Sequence, residues 1–496
     1  MRFRGTPTMG TMDNHRTIPP ARIAPSRTAT LFASAALAAA AAAHPDAPPP
    51  AWRWVRTVHP ERAVPGTIGP AIAACSGTIV TGPCRDADIG DGMPTLLLHA
   101  IRAGFGLPSD STATESHPMG DRGAGFATAL AAADRTVVAG SPFAGCRRAG
   151  CSSGQAHLVY LAHDGTRSID EIACPEPQPA SEFGAAVATD GLTVAVGSPR
   201  HDGATWDTGA VDIYELERTD LGPVPVHVAR LLPPAPAASA RFGAAIAIDG
   251  DWMAIGEPGA GTSLPRDGDV HVARRIAGRW QLTCSLRTSA GVNGWLGASV
   301  TLAGGQLAAG APIARHPDTA RRTGAVARWA LEGNAWNRIP PVHAPDLAEG
   351  SGFGLAVALG EGFLAVGAPG DDAGGEDAGS AWVMPWSGGA LLRLQARSPG
   401  AGAGFGAGLA FGTGRGRTPV GPTRFLAVSG RTDPEQPPVP GSVELFGYRP
   451  PDPLLVAHPA SPQSRSASAI AIAADASVTR AGRQPDSSAR DSASGP

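Results

Sequence analysis

The sequence predicts an all-β protein built as a stacked or circular array of seven small sheet units. Three observations carry this reading. A bulky apolar residue, usually followed by Gly, returns seven times, at Ile68, Phe126, Phe183, Phe242, Leu296, Phe353 and Phe405. In the first six copies a Gly stands 14 residues later, at Gly82, Gly140, Gly197, Gly256, Gly310 and Gly367, and it usually opens Gly-x-Pro. A further Gly follows 10 to 14 residues on, at Gly92, Gly154, Gly209, Gly268, Gly324, Gly379 and Gly441, and most of these precede an alternating or apolar run. Units repeated at a fixed period bury their faces on their neighbours.

Each unit reads as four short strands. In the third copy the first strand is 183–189, and Asp190-Gly191 is a two-residue hairpin turn, because Gly tolerates positive φ and Asp resists it little. Residues 193–196 form the second strand. Gly197-Ser198-Pro199 ends it, since Pro cannot donate to a central ladder. Gly209 opens the third strand, Ala210-Val211-Asp212-Ile213-Tyr214. The fourth is the weakest signal: 226–232 here, 279–286 in the fourth copy and 391–396 in the sixth. The first copy has Gly82-Pro83 without the middle residue, and the second has Ala127 where Gly is usual. The seventh carries an insertion between Gly412 and Thr423 and lacks the Pro. Short strands punctuated by Gly and Pro indicate an all-β architecture.

The phrase resembles the FG-GAP repeat, the unit of the β-propeller at the head of integrin α chains. Phe353-Gly354 and Gly367-Ala368-Pro369 match it literally. The resemblance implies a seven-bladed β-propeller of four-stranded blades over residues 51–448. A propeller leaves only short, protected sheet edges. The last copy ends at its third strand, 442–448, so the N-terminal strand Trp52–Val58 is expected to supply the missing fourth and close the ring.

The remaining segments set the context. Residues 1–43 read as a secretory signal or leader: five Arg precede a short apolar run from Thr28 to Ala43. Residues 44–50 are a linker, and 449–496, rich in Pro, Ser and Ala, are expected to be a disordered tail. The expected location is therefore exported: periplasmic, cell-surface or secreted. No segment reads as a membrane span. The net charge is −3, and no lysine occurs, so all 40 basic residues are Arg; this gives no reason to expect a nucleic-acid partner. None of the six cysteines forms Cys-x-x-Cys, which disfavours a zinc site of that kind. Cys146 and Cys151 flank a tight loop and are a candidate disulfide in an oxidising compartment. A Cys75–Cys84 bridge is less favoured. Cys174 and Cys284 read as buried free thiols on fourth strands.

Chemistry-bearing motifs are sparse. Integrin-type blades can wrap calcium in an Asp-x-Asp-x-Asp-Gly hairpin. The equivalent loops here are as short as Asp190-Gly191 and Asp249-Gly250-Asp251, so Asp190 and Asp249 read as turn formers. No metal site and no cofactor is expected, with calcium at the acidic loop from Gly370 to Asp377 as the one possibility. The loops joining second and third strands should share one face. They supply the candidate ligand-binding residues His201, Asp202, Arg315, His316, Asp371 and Asp372. His-Glu-x-x-His and a phosphate loop are missing. The favoured function is an exported, non-enzymatic binding, adhesion or scaffold module for a protein or glycan. The alternative is a hydrolase or lyase with a site at the channel mouth, for which His201, His316 and Asp371 would have to converge.

Overall fold

The computed structural model describes residues 51–58, 71–75, 78–82, 95–100, 112–116, 125–145, 152–162, 167–219, 222–261, 267–288, 294–360, 362–418, 421–430, 443–449 and 466–468. The anchor Ile68, the Cys146–Cys151 loop, Cys84 and the proposed leader lie outside these residues.

The chain begins with β1 (Ala51–Val58). The first blade follows as β2 (Ile72–Cys75), β3 (Thr78–Thr81), β4 (Thr95–Ala100) and β5 (Thr112–Ser116). The second is β6 (Ala129–Ala133), β7 (Thr136–Ser141), β8 (Gln155–Leu161) and β9 (Arg167–Ile172). The third is β10 (Ala186–Thr189), β11 (Thr193–Ser198), β12 (Ala210–Thr219) and β13 (Gly222–Leu231). The fourth is β14 (Ala245–Asp249), β15 (Trp252–Glu257), β16 (Asp269–Ile276) and β17 (Arg279–Leu286). The fifth is β18 (Ser299–Ala303), β19 (Gln306–Ala311), β20 (Ala325–Glu332) and β21 (Ala335–Val342). The sixth is β22 (Ala356–Gly360), β23 (Phe363–Ala368), β24 (Ser380–Pro385) and β25 (Leu392–Leu394). Then come β26 (Gly408–Thr418), β27 (Gly421–Ser429), β28 (Val443–Arg449) and β29 (Ser466–Ser468).

Six sheets are thus antiparallel meanders of consecutive strands, each hydrogen-bonded in chain order. A further sheet is composite, in the order β1-β28-β27-β26. β1 lies antiparallel to β28, with Trp52 opposite Tyr448 and Val58 opposite Val443. This is the pairing that the unfinished last copy leads one to expect. The architecture is an all-β propeller of four-stranded blades.

The inner strands are short and rich in Ala and Val because both faces are covered. β6, β10 and β11 are buried at every position. Outer strands face solvent, as along β17, where only Trp280 and Leu286 are buried. The anchors Phe126, Phe183, Phe242, Leu296, Phe353 and Phe405 are all buried between adjacent sheets. Trp52 packs edge-on against Phe363 and beside Phe411 and Tyr448, joining the sixth blade to the composite sheet.

The anchors do more than fill space. The Gly that opens each third strand forms a parallel bridge to the anchor of the next blade: Gly154 to Phe183, Gly209 to Phe242, Gly268 to Leu296, Gly324 to Phe353 and Gly379 to Phe405. A Cβ on Gly209 would stand 2.1 Å from the Phe242 carbonyl oxygen. The Gly of Gly-x-Pro makes the second close approach. A Cβ on Gly197 would meet the Gly243 carbonyl oxygen at 2.1 Å. The repeated glycines are therefore the contact points at which one blade's backbone touches the next.

Several local expectations are corrected. The first strand of the third copy starts at Ala186 rather than Phe183, because Phe183 is engaged in the bridge to Gly154. The Asp190-Gly191 turn is wider than two residues, since the last strand pair is Thr189 with Val194. The Asp190 carboxylate holds it by accepting from the Leu192 and Thr193 amides at 2.9 and 2.7 Å. Cys284 is exposed rather than buried, and Cys174 is half-buried just after β9. Their positions differ because Cys284 lies on the exposed run of an outer strand. Ser466–Ser468, within the segment expected to be disordered, adds to β14 as an antiparallel edge strand. The inner edge of β14 offers unpaired backbone groups, and three small residues fit against it.

Candidate functional site: the loop face

The chain turns over between β11 and β12, and between the matching strands of each blade, at one edge of the propeller. These loops are fastened to the next blade rather than hanging free. In the third blade's loop the Trp206, Asp207 and Thr208 carbonyls accept from the Ser239, Arg241 and Phe242 amides at 3.1, 3.1 and 2.9 Å. The sixth blade repeats the pattern, with Gly402, Gly404 and Phe405 donating to Glu376, Asp377 and Ala378.

The six predicted residues fall into two kinds. His201 and Asp371 occupy the same place in their repeats, four residues after the Gly of Gly-x-Pro, and both are buried, at 6% and 3% exposure. Ala144, Ala260 and Ala314 take that place in other blades and are buried as well. The position is a loop anchor: its amide donates back to the end of the second strand, as His201 does to Ser198 at 3.0 Å and Asp371 to Ala368 at 3.2 Å. Burial lowers the His201 pKa, with a further push from Arg230. The Asp371 carboxylate pairs with Arg393 and also accepts from the Ala373 amide.

The next residue is the exposed one. Asp202 accepts from the Asp207 amide at 2.8 Å, and its own backbone is clasped by the Gln178 side chain. Asp372 makes the equivalent bond to the Asp377 amide at 2.9 Å. Both carboxylates therefore close their own loops. Arg315 is exposed and donates to the Ala320 carbonyl at 2.7 Å. His316 accepts at Nδ1 from the Asp318 amide at 3.2 Å and sets its ring edge-on to His343 at 5.5 Å. Burial, followed by the charge of His316, lowers the His343 pKa. His201, His316 and Asp371 belong to three different sheets, and each is bonded within its own loop. The acidic loop's carboxylates at Asp371 and Asp372 are likewise spent on Arg393 and on loop amides.

The sequence reading missed the exposed aromatics on this edge. Trp206 is 59% exposed, although the backbone beneath it is clamped to the fourth blade. Trp295 is 48% exposed and has a φ of 63°. Among the described residues the one before each anchor is left-handed: Gly125, Glu182, Arg241, Trp295, Gly352 and Gly404. A Trp there is strained where Gly would not be. Phe143, in the second blade's loop, is half exposed. Alignment with Glu182 and Arg241, polar residues at the same place in sister copies, carries the signal that this side chain faces solvent.

On the other edge, the Asp249 carboxylate reaches across to accept from the Gly304 amide of the fifth blade at 2.5 Å. Burial, with the charge of Asp190 adding to it, pushes its pKa up to about 6. Within the third blade, Asp212 is fully buried and takes two hydrogen bonds from Arg230 at 2.9 and 3.0 Å, and one contact from His227 at 3.0 Å.

Four-stranded blades interlocked through a recurring Phe and a recurring Gly define a propeller built from a single repeated unit. Residues 226–273 and 336–384 match the FG-GAP repeat family. The chain carries FG-GAP repeats. Each matched span starts on the outer strand of one blade and runs through the first three strands of the next. No curated protein matches the chain. Among the described residues no helix is long and apolar enough to cross a membrane.

Proposed function

We propose that the protein is an exported, non-enzymatic propeller that binds a protein or glycan ligand on its loop face, as an adhesion or scaffold module. In this reading the composite sheet is the seventh blade, and β1 closes the ring. Contacts between the inner strands of successive sheets, with β2 against both β6 and β26, support one continuous circle. Export rests on the basic and then apolar N-terminal segment.

One observation carries the binding reading: Trp206 and Trp295 are exposed on either side of the fourth blade, and the backbone next to each is hydrogen-bonded to a neighbouring loop. Exposed aromatics on a fixed backbone are suited to recognition, because they offer a large contact area at little cost in side-chain entropy. Asp202 and Arg315 add polar groups to the same face, while His201 and Asp371 support the loops from beneath. The test is a binding screen of the full chain on arrayed glycans and matrix proteins, followed by the Trp206→Ala, Trp295→Ala double variant. A ligand whose affinity drops at least tenfold in the variant supports the reading. Undiminished binding refutes the loop face as the site.

A further inference from the structure

We propose that the fourth blade holds a buried divalent transition-metal ion, of the zinc class, between Glu257, Asp269 and His271. The donor atoms of these three residues all lie within 4.8 Å of one another, and all three residues are buried. Their meeting follows from strand geometry. Glu257 ends β15 and is paired across the ladder with Asp269, the first residue of β16. His271 is two residues further along β16, so its side chain leaves the same face of the sheet. The site lies at the loop end of the blade that the two exposed tryptophans flank, and it does not depend on the binding reading.

Charge argues for a cation. Two carboxylates directly opposite on one face repel each other. Arg287 neutralises Asp269 through Nε and Nη2, both at 2.9 Å from Oδ2. Among the described residues no arginine pairs with Glu257. Its Oε2 lies 2.6 Å from His271 Nε2, and its Oε1 is buried with no hydrogen-bond partner. A lone buried carboxylate oxygen is costly, and a bound ion would satisfy it.

The imidazole is also prepared to ligate. His271 Nδ1 is 2.9 Å from Ser285 Oγ. With the proton on Nδ1 donated to that oxygen, the Nε2 lone pair faces the two carboxylates. Outer partners of this kind fix the tautomer of metal-bound histidines. Phe242 covers the ring at 5.3 Å. One imidazole and two carboxylates favour zinc or a neighbouring transition ion over calcium or magnesium, which take oxygen ligands. Tetrahedral bonds of about 2.0–2.2 Å put donor atoms about 3.4 Å apart, so His271 Nε2 and Glu257 Oε2, now 2.6 Å apart, must separate while the wider pairs draw in, each by about 1 Å.

Comparison between blades separates this from a general feature of the fold. The cross-strand pair matching Glu257 and Asp269 is Ser141 with Gln155, Ser198 with Ala210, Ala311 with Ala325 and Ala368 with Ser380. Packing at this place is met elsewhere by small or neutral residues. Only the fourth of these blades brings two carboxylates and a histidine to it.

The test uses the full chain, stripped with a chelator and titrated with zinc chloride, with cobalt chloride as a spectroscopic probe. One equivalent of zinc should bind, and X-ray absorption should show a nitrogen and oxygen shell that includes an imidazole. Glu257→Gln and Asp269→Asn, each near-isosteric, should weaken binding at least tenfold and reduce the visible cobalt bands. The proposal is overturned if the wild-type chain takes up no stoichiometric ion. A sulfur shell, which would assign any bound ion to cysteine, overturns it equally. So does unchanged affinity in both folded variants, which would leave Glu257 and His271 as a simple hydrogen-bonded pair.

Discussion

Replacing Gly197 by Ala isolates the contact between blades from every other role of glycine. Gly197 is not in the left-handed region, so alanine fits its backbone, and the change removes freedom from the unfolded chain, a gain of about 0.4–1 kcal/mol. Against this stands the Gly243 carbonyl oxygen, 2.1 Å from the added Cβ. That oxygen must retreat by about 1 Å to reach even 3.0 Å, a separation below which real Cβ contacts are essentially never found. It belongs to the backbone of the next blade, whose Gly243 amide is bonded to Gly256 at 3.0 Å, so the strain spreads into two sheets. Overpacking of this kind costs about 1–3 kcal/mol, which leaves a net loss of about 1–2 kcal/mol. Gly250→Ala is the control: its φ is +60° and nothing lies within 4 Å of the new Cβ, so only local backbone strain of about 1–2 kcal/mol applies. Urea unfolding followed by tryptophan fluorescence reads both, with the midpoint shift compared at constant slope. The decisive arm is local: Gly197→Ala should also speed amide exchange in β10 and β14, and Gly250→Ala should not. A Gly197→Ala protein as stable as wild type, with unchanged exchange, would refute the account of the repeated glycines.

Three further outcomes follow from the structure. Phe183→Ala should cost about 3–5 kcal/mol in the same urea assay, because it empties a fully buried site between two blades; a loss under 1 kcal/mol would mean the position is not core. Asp212→Ala removes two of the Arg230 guanidinium's hydrogen bonds and leaves it paired with Glu176, and should cost about 1.5–3 kcal/mol, whereas a neutral result would show that Glu176 and solvent suffice for Arg230. Asp249 has a folded pKa raised from 3.8 to about 6, so the folded state holds its proton more tightly and its contribution is lost as pH rises between those values. Stability should therefore fall across that interval in wild type, and Asp249→Asn should flatten that part of the profile; an unaltered profile in the variant would assign the dependence to other groups.

The strand pattern was legible because each copy states it again: Phe242 with Gly256, and Phe353 with Gly367, mark the same two places. β1 was legible from an absence, the missing fourth strand after Tyr448. The meaning of the glycines was not, because Gly197 and Gly243 are in different copies and only the packed structure shows one backbone against the other. His201 and Asp371 looked like ligand-facing loop residues because both are polar and follow Gly-x-Pro. Alignment with Ala144, Ala260 and Ala314 carries the contrary signal, that the position faces inward. Trp295 was overlooked for the opposite reason, since an apolar residue beside an anchor reads as core. The grouping of Glu257 with Asp269 and His271 depends on cross-strand register, which hairpin length alone does not fix across a long loop. Glu257 in place of the Ser or Ala of other copies was the visible trace.

The proposed function rests on closure of the ring by β1. Hydrogen exchange on the full chain and on a variant lacking residues 51–58 tests it most directly. The account predicts that amides of β28 are protected in the full chain and exchange rapidly in the variant, with faster exchange reaching β26 and β2. Equal protection of β28 in both proteins would contradict closure by β1.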